Sequence, residues 1–122
     1  MSLHESAEMY LETIYRLSLE SANVRSIDLA EAMGYSKPSI SRAVGLLKRD
    51  GYLLMDENGF LALTESGLAV AQKIFQRHTV LTKALMALGV DEDTASEDAC
   101  KIEHIISDKT FDAIQEHMAQ YK

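Results

Sequence analysis

The chain has 122 residues, 47% of them hydrophobic and 25% charged, which fits one globular domain or two small lobes. Its single cysteine excludes an internal disulfide framework and fits a reducing cytoplasm, and its apolar runs are too short to span a bilayer. The net charge of −7 argues against nucleic acid until its distribution is read: residues 24–55 hold five basic and three acidic residues, and 35–49 hold four basic residues and no acid. A basic patch on an acidic protein points to two jobs in two places.

Residues 4–20 read as a helix whose apolar stripe is Leu3, Ala7, Tyr10, Leu11, Ile14 and Leu17. Glu5, Met9, Glu12 and Arg16 fall on its far face. Ser26 is the expected N-cap of a short helix over 27–33, which Gly34 ends. Ser36 is a second N-cap, with Pro38 in the first turn of a helix over 37–50 that turns Ile40, Val44 and Leu47 to a core. Two short helices joined by a tight glycine-containing turn outline a helix-turn-helix. Residues 52–55 and 60–63 are apolar runs joined by Asp56-Glu57-Asn58-Gly59, a hairpin signal. The expected fold is mainly α with a small β-hairpin: a winged helix-turn-helix over 1–63, then a helical domain over 64–122.

Thr64 is expected to cap a long helix reaching about residue 88. Ala71, Ile74, His78, Leu81, Leu85 and Leu88 repeat along it in steps of three and four, a seam suited to pairing helices. A helix over 91–106 follows, capped by Asp91, and Ser107 caps a final short helix with Phe111, Ile114 and Met118 on its apolar face. On the helix over 91–106, Cys100, Glu103 and His104 share one face, and Ala95, Ala99, Ile102, Ile105 and Ile106 take the other.

A thiol four residues from an imidazole can form an activated nucleophile. No glycine-rich oxyanion or phosphate loop accompanies this one, so an enzyme acting on a small organic substrate is not expected. Cys100 could instead report oxidation. Metal binding accounts for more of the chain. The thioether of Met9, the thiolate of Cys100, the carboxylate of Glu103 and the imidazole of His104 form a mixed soft and borderline donor set. Such a set suits Fe2+ and would also take Co2+, Ni2+ or Zn2+. A purely carboxylate and imidazole set would favour Mn2+. Glu12, beside Met9 on its helix, and His78, in the seam, are further candidates for an ion shared between helices.

Several stretches, in order and spacing, resemble the diphtheria toxin repressor family of metal-dependent regulators: Glu8-Met9-Tyr10-Leu11-Glu12-Thr13-Ile14-Tyr15, Ser36-Lys37-Pro38-Ser39-Ile40-Ser41, Arg49-Asp50-Gly51, Leu63-Thr64-Glu65-Ser66-Gly67, Arg77-His78 and Asp98-Ala99-Cys100-Lys101-Ile102-Glu103-His104. The resemblance covers nearly the whole chain. It implies a cytoplasmic, homodimeric, metal-activated repressor with a DNA-binding domain followed by a metal-binding and dimerisation domain. Met9 and Cys100 match the iron branch of that family, where they join the matches of Glu103 and His104. Glu12 resembles the manganese branch, which pairs it with His78, Glu103 and His104 in a two-metal site but carries acids where Met9 and Cys100 stand. Of the iron branch's ancillary ligands only His78 is retained, with Thr82 and Ser96 in the places of a Glu and a His. Long members of the iron branch carry a C-terminal SH3-like domain, and this chain stops before it.

The same resemblance makes the helix over 37–50 the recognition helix. The two-fold interface expected of the 71–88 seam with the last two helices would make the operator an inverted repeat. Ser36, Pro38 and Arg42 match positions that meet bases, and Ser39 and Ser41 match phosphate contacts. Independently, Arg42 can donate two hydrogen bonds to a guanine, and a hydroxyl-bearing helix N-terminus suits a phosphate. Lys37 is a sequence-independent electrostatic contact in either reading.

Overall fold

The computed structural model describes residues 5–120, and side chains from Ser6 onward. The expected role of Leu3 in the first apolar stripe lies outside the described residues. The chain divides into two compact units, Met1–Gln72 and Lys73–Lys122.

The first unit begins with α1 (Glu5–Glu20), α2 (Ser26–Met33) and α3 (Lys37–Arg49). Leu11 and Ile14 of α1, Leu29 of α2, and Ile40, Val44 and Leu47 of α3 form one buried apolar cluster, as the three-and-four spacing requires. Gly34 ends α2 in the left-handed region at φ 71°, where its missing Cβ removes the steric penalty. Ser36 caps α3 by accepting the Ser39 N–H at 3.3 Å, and Pro38 stands in the first turn. The start of α2 differs from expectation. The helix begins at Ser26 itself, with Arg25 at the N-cap. The Arg25 backbone is extended and bridged to Phe60, and its N–H donates to the Asp28 carboxylate at 2.9 Å. Asp28, not Ser26, therefore satisfies this end of the helix.

The hairpin pairs β1 (Leu53–Met55) with β2 (Leu61–Leu63), antiparallel, with Leu53 opposite Leu63 and Met55 opposite Leu61. Strand alternation buries Leu53 and Leu61 and leaves Leu54 exposed. The Asp56 carboxylate holds the turn by accepting the N–H groups of Asn58 and Phe60 at 2.8 and 3.0 Å. Thr64 then caps α4 (Glu65–Ala87): its hydroxyl accepts the Gly67 N–H at 3.1 Å and donates to the Gly51 carbonyl at 2.6 Å. A Cβ on Gly67 would stand 2.1 Å from the Tyr52 carbonyl oxygen, so the wing's base and the first turn of α4 meet backbone to backbone. Ala71 of α4 joins the first core, which is why the unit boundary falls inside this helix.

The second unit holds the rest of α4, then α5 (Glu92–Ile102) and α6 (Asp108–Gln120). Its apolar cluster is Leu81, Ala99 and Phe111, with Val80, Ile102, Ile106 and Ile114 packed against it. Asp91 and Ser107 cap α5 and α6 as expected. The expected seam is buried at Ala71, Ile74 and Leu81, but Leu88 lies past the helix end and is exposed. The helix expected over 91–106 stops at Ile102. Ile105 consequently leaves the apolar face assigned to it and is 74% exposed.

Candidate metal centre and DNA-reading helix

Helix α5 ends at Ile102 with Glu103 as its C-cap, still helical in its dihedral angles and bonded through its N–H to the Ala99 carbonyl at 2.9 Å. His104 sits in the turn beyond. The expectation that Glu103 lies off the core is corrected: its residue exposure is 0%. Burying an ionised carboxylate is costly unless it is paired. Here two imidazoles flank it. His78 Nδ1 on α4 lies 2.9 Å from Glu103 Oε2, and His104 Nε2 lies 3.3 Å from Glu103 Oε1. The His104 side chain is fully buried and that of His78 is 13% exposed. His78 Nε2 lies 3.3 Å from the Ser96 hydroxyl of α5. An ionised carboxylate only accepts, so Nδ1 of a neutral His78 carries the proton, and Nε2 accepts from Ser96. Cys100 is half-buried on α5, one turn before His104. A buried carboxylate between two imidazoles, with a thiol close by in the chain, is a donor set that fits a divalent transition ion.

The other two expected ligands lie on α1. Glu12 is buried, which the far-face assignment did not anticipate, and its carboxylate accepts from Arg16 at 2.6 Å. Met9 is half-buried, and its carbonyl accepts the Thr13 hydroxyl at 2.8 Å.

Arg77 stands in one of the matching stretches, but the sequence assigns it no role. It is 6% exposed and reaches three groups beyond its own helix. Its Nη1 donates to the carbonyls of Glu103 at 3.2 Å and Ile106 at 2.8 Å, and its Nη2 donates to the Asp108 carboxylate. The guanidinium lies over the Phe111 ring, 5.3 Å from its centroid. The available signal was positional. Arg77 lies three residues after Ile74 and four before Leu81, a core spacing that a surface charge would not occupy.

In the first unit α3 buries Ile40, Val44 and Leu47 and exposes Lys37, Pro38, Ser41 and Arg42 on its other side. Ser36 is exposed and Ser39 half-buried, with their hydroxyls 2.9 Å apart at the helix N-terminus. Helix α3 carries no acid in its first turn, so its positive end is not neutralised by its own side chains. Among the described residues, no helix is long and apolar enough to cross a membrane.

A winged helix followed by helices that gather buried metal-type donors defines a class of metal-dependent DNA-binding regulators. Residues 2–59 match the family model "Iron dependent repressor, N-terminal DNA binding domain", and residues 64–122 match "Iron dependent repressor, metal binding and dimerisation domain". The chain is 34% identical over 116 residues to the HTH-type transcriptional regulator MntR of Bacillus subtilis, covering 95% of this chain and 81% of that protein. It is 31% identical over 108 residues to the diphtheria toxin repressor of Corynebacterium diphtheriae, covering 88% of this chain and 48% of that one. Among solved structures, that of the manganese regulator SloR superposes with a TM-score of 0.82 at 28% identity, covering 98% of this chain and 55% of that one. The chain thus spans about half the length of the last two relatives. It belongs to the diphtheria toxin repressor family of metal-dependent, DNA-binding transcriptional repressors.

Proposed function

We propose that the protein is a cytoplasmic, homodimeric repressor that binds an inverted-repeat operator when loaded with Fe2+, and that it controls genes of metal homeostasis. It is not an enzyme in this reading. The proposed ligands are Met9, Cys100, Glu103 and His104. The observation that carries the reading is the fully buried Glu103 carboxylate between two imidazoles. This carboxylate, His104, the Met9 thioether and the deprotonated Cys100 thiol would hold the ion, which would supply the positive charge of the loaded site. Sulfur donors at Met9 and Cys100 favour Fe2+ over Mn2+. On the DNA side, Arg42 reads bases with Ser36 and Pro38, while Lys37, Ser39 and Ser41 meet the phosphates.

A second reading, manganese bound with Glu12 and His78 as added ligands, draws support from the burial of Glu12. Against it, His78 already has Glu103 on one nitrogen and Ser96 on the other. A third reading makes Cys100 a redox sensor.

The test is a DNA-binding titration of chelated protein with Fe2+, Co2+ and Mn2+, using an operator selected from random DNA. Cys100→Ala is expected to abolish metal-dependent binding, and Cys100→Glu to shift preference towards Mn2+. Arg42→Ala should weaken specific binding by about 1–3 kcal/mol at one base of each half-site. Lys37→Ala should weaken all DNA alike and flatten the salt dependence. Full-strength operator binding by Cys100→Ala in excess chelator would overturn the metal reading. Loss of binding with peroxide and no metal requirement would favour the redox sensor.

A further inference from the structure

We infer that Arg77 is the positioning residue of the metal centre: by holding the backbone of the turn after α5, it sets where Glu103 and His104 present their donor atoms. The inference rests on the proposed metal reading. It begins from the break at Ile102. Past that residue the ladder closes with the Glu103 N–H on the Ala99 carbonyl at 2.9 Å and the Ile105 and Ile106 N–H groups on the Ile102 carbonyl at 3.0 Å. Two proposed ligands sit in this turn, whose own carbonyls at Glu103 and Ile106 go to Arg77.

Two adjacent residues of α4 grip Glu103. His78 holds its side chain at 2.9 Å and Arg77 holds its carbonyl at 3.2 Å. The same guanidinium takes the Ile106 carbonyl at 2.8 Å and the Asp108 carboxylate at the start of α6. One planar fork therefore fixes both ends of the 103–106 turn. Last-turn carbonyls are the groups a helix end leaves without partners, and a cation suits that end of the dipole. Burial of Arg77 and its packing over Phe111 leave the fork little freedom to move. Lysine keeps the charge but is a point donor without the fork, so it cannot reproduce three diverging contacts.

The experiment measures Co2+ binding to chelated full-length protein, by affinity and by visible absorption, for wild type, Arg77→Lys and Asp108→Asn. Amide hydrogen exchange of the metal-free proteins is followed in parallel. Arg77→Lys is expected to lower Co2+ affinity by about 10–100-fold, the range seen when outer partners of metal ligands are removed. It should also shift the Co2+ absorption band and speed exchange at residues 103–106 while Ala95 and Ala99 stay protected. Asp108→Asn removes an exposed group, leaves the carbonyl contacts and should move the same readouts less. It decides the matter if Arg77→Lys does not fold. A merely structural Arg77 would lower thermal stability and leave affinity and band position unchanged in the folded protein, which would overturn the inference alone. If wild-type protein takes up no Co2+, the metal reading fails and carries this inference with it.

Discussion

The N-terminal unit closes around Leu11, Ile14, Leu29, Ile40, Val44 and Leu47, whereas the C-terminal unit sets Leu81, Ala99 and Phe111 beside a buried carboxylate, guanidinium and imidazole. An apolar core stabilises through area removed from water and needs no partner molecule. A buried charged cluster repays its desolvation only with good geometry, and a ligand of the right charge improves the balance. The contrast separates a part that must keep one shape to read DNA from a part whose stability is open to a metal.

The sharpest way to break this contrast is to damage the apolar side. Leu29 is 0% exposed, so Leu29→Ala should destabilise the N-terminal unit by about 2–5 kcal/mol. Urea melts at several metal concentrations would measure it, and most of the loss should persist at saturating metal. Next comes the metal itself. At a hundredfold excess over its dissociation constant, a divalent ion that binds only the folded protein should add about 2.7 kcal/mol. Hydrogen exchange should place that gain first at residues 103–106, and a gain confined to Leu29 and Ile40 would reverse the comparison. Ser36→Ala removes the N-cap of α3 and should cost about 0.5–2 kcal/mol, independent of metal.

The smallest effect is that of pH. The Lys73 ammonium, and then the Arg77 charge, hold the Asp108 carboxyl below its ordinary value of 3.8. The Thr94 N–H does the same for Asp91. Both groups bind protons more readily when unfolded. Their contribution is therefore full above the ordinary carboxylate range and fades as pH falls below 3.8 through the lowered values. Asp108→Asn should flatten part of that acid loss in melts taken from neutral pH downward.

Local signals revealed the first unit well. Ser36 and Pro38 announce α3, Asn58-Gly59 announces the hairpin turn, and the spacing of Ile40, Val44 and Leu47 marks its buried side. The start of α2 was misread by one residue because Asp28 competes with Ser26 for the capping role, and the bridge to Phe60 decides between them. The end of α5 was illegible for a different reason. Residues 101–106 contain no glycine or proline and continue a helical apolar pattern. What accompanies the stop is a guanidinium from 26 and 29 residues earlier, on the carbonyls of Glu103 and Ile106. The donor-type side chains were visible in the sequence as candidates, whereas the burial of Glu103 and the grip of Arg77 depend on tertiary contacts that spacing does not encode.

Gly67 has a consequence for mutational tolerance. Glycines at turns usually accept asparagine at modest loss, because the demand there is on a dihedral angle. At Gly67 the demand is on space, with backbone as the obstructing neighbour, so every other side chain shares the same offending atom. A saturation library at this position, selected for repression, should return glycine almost alone, with alanine no better tolerated than leucine. The site would read as absolutely constrained for a reason of packing alone.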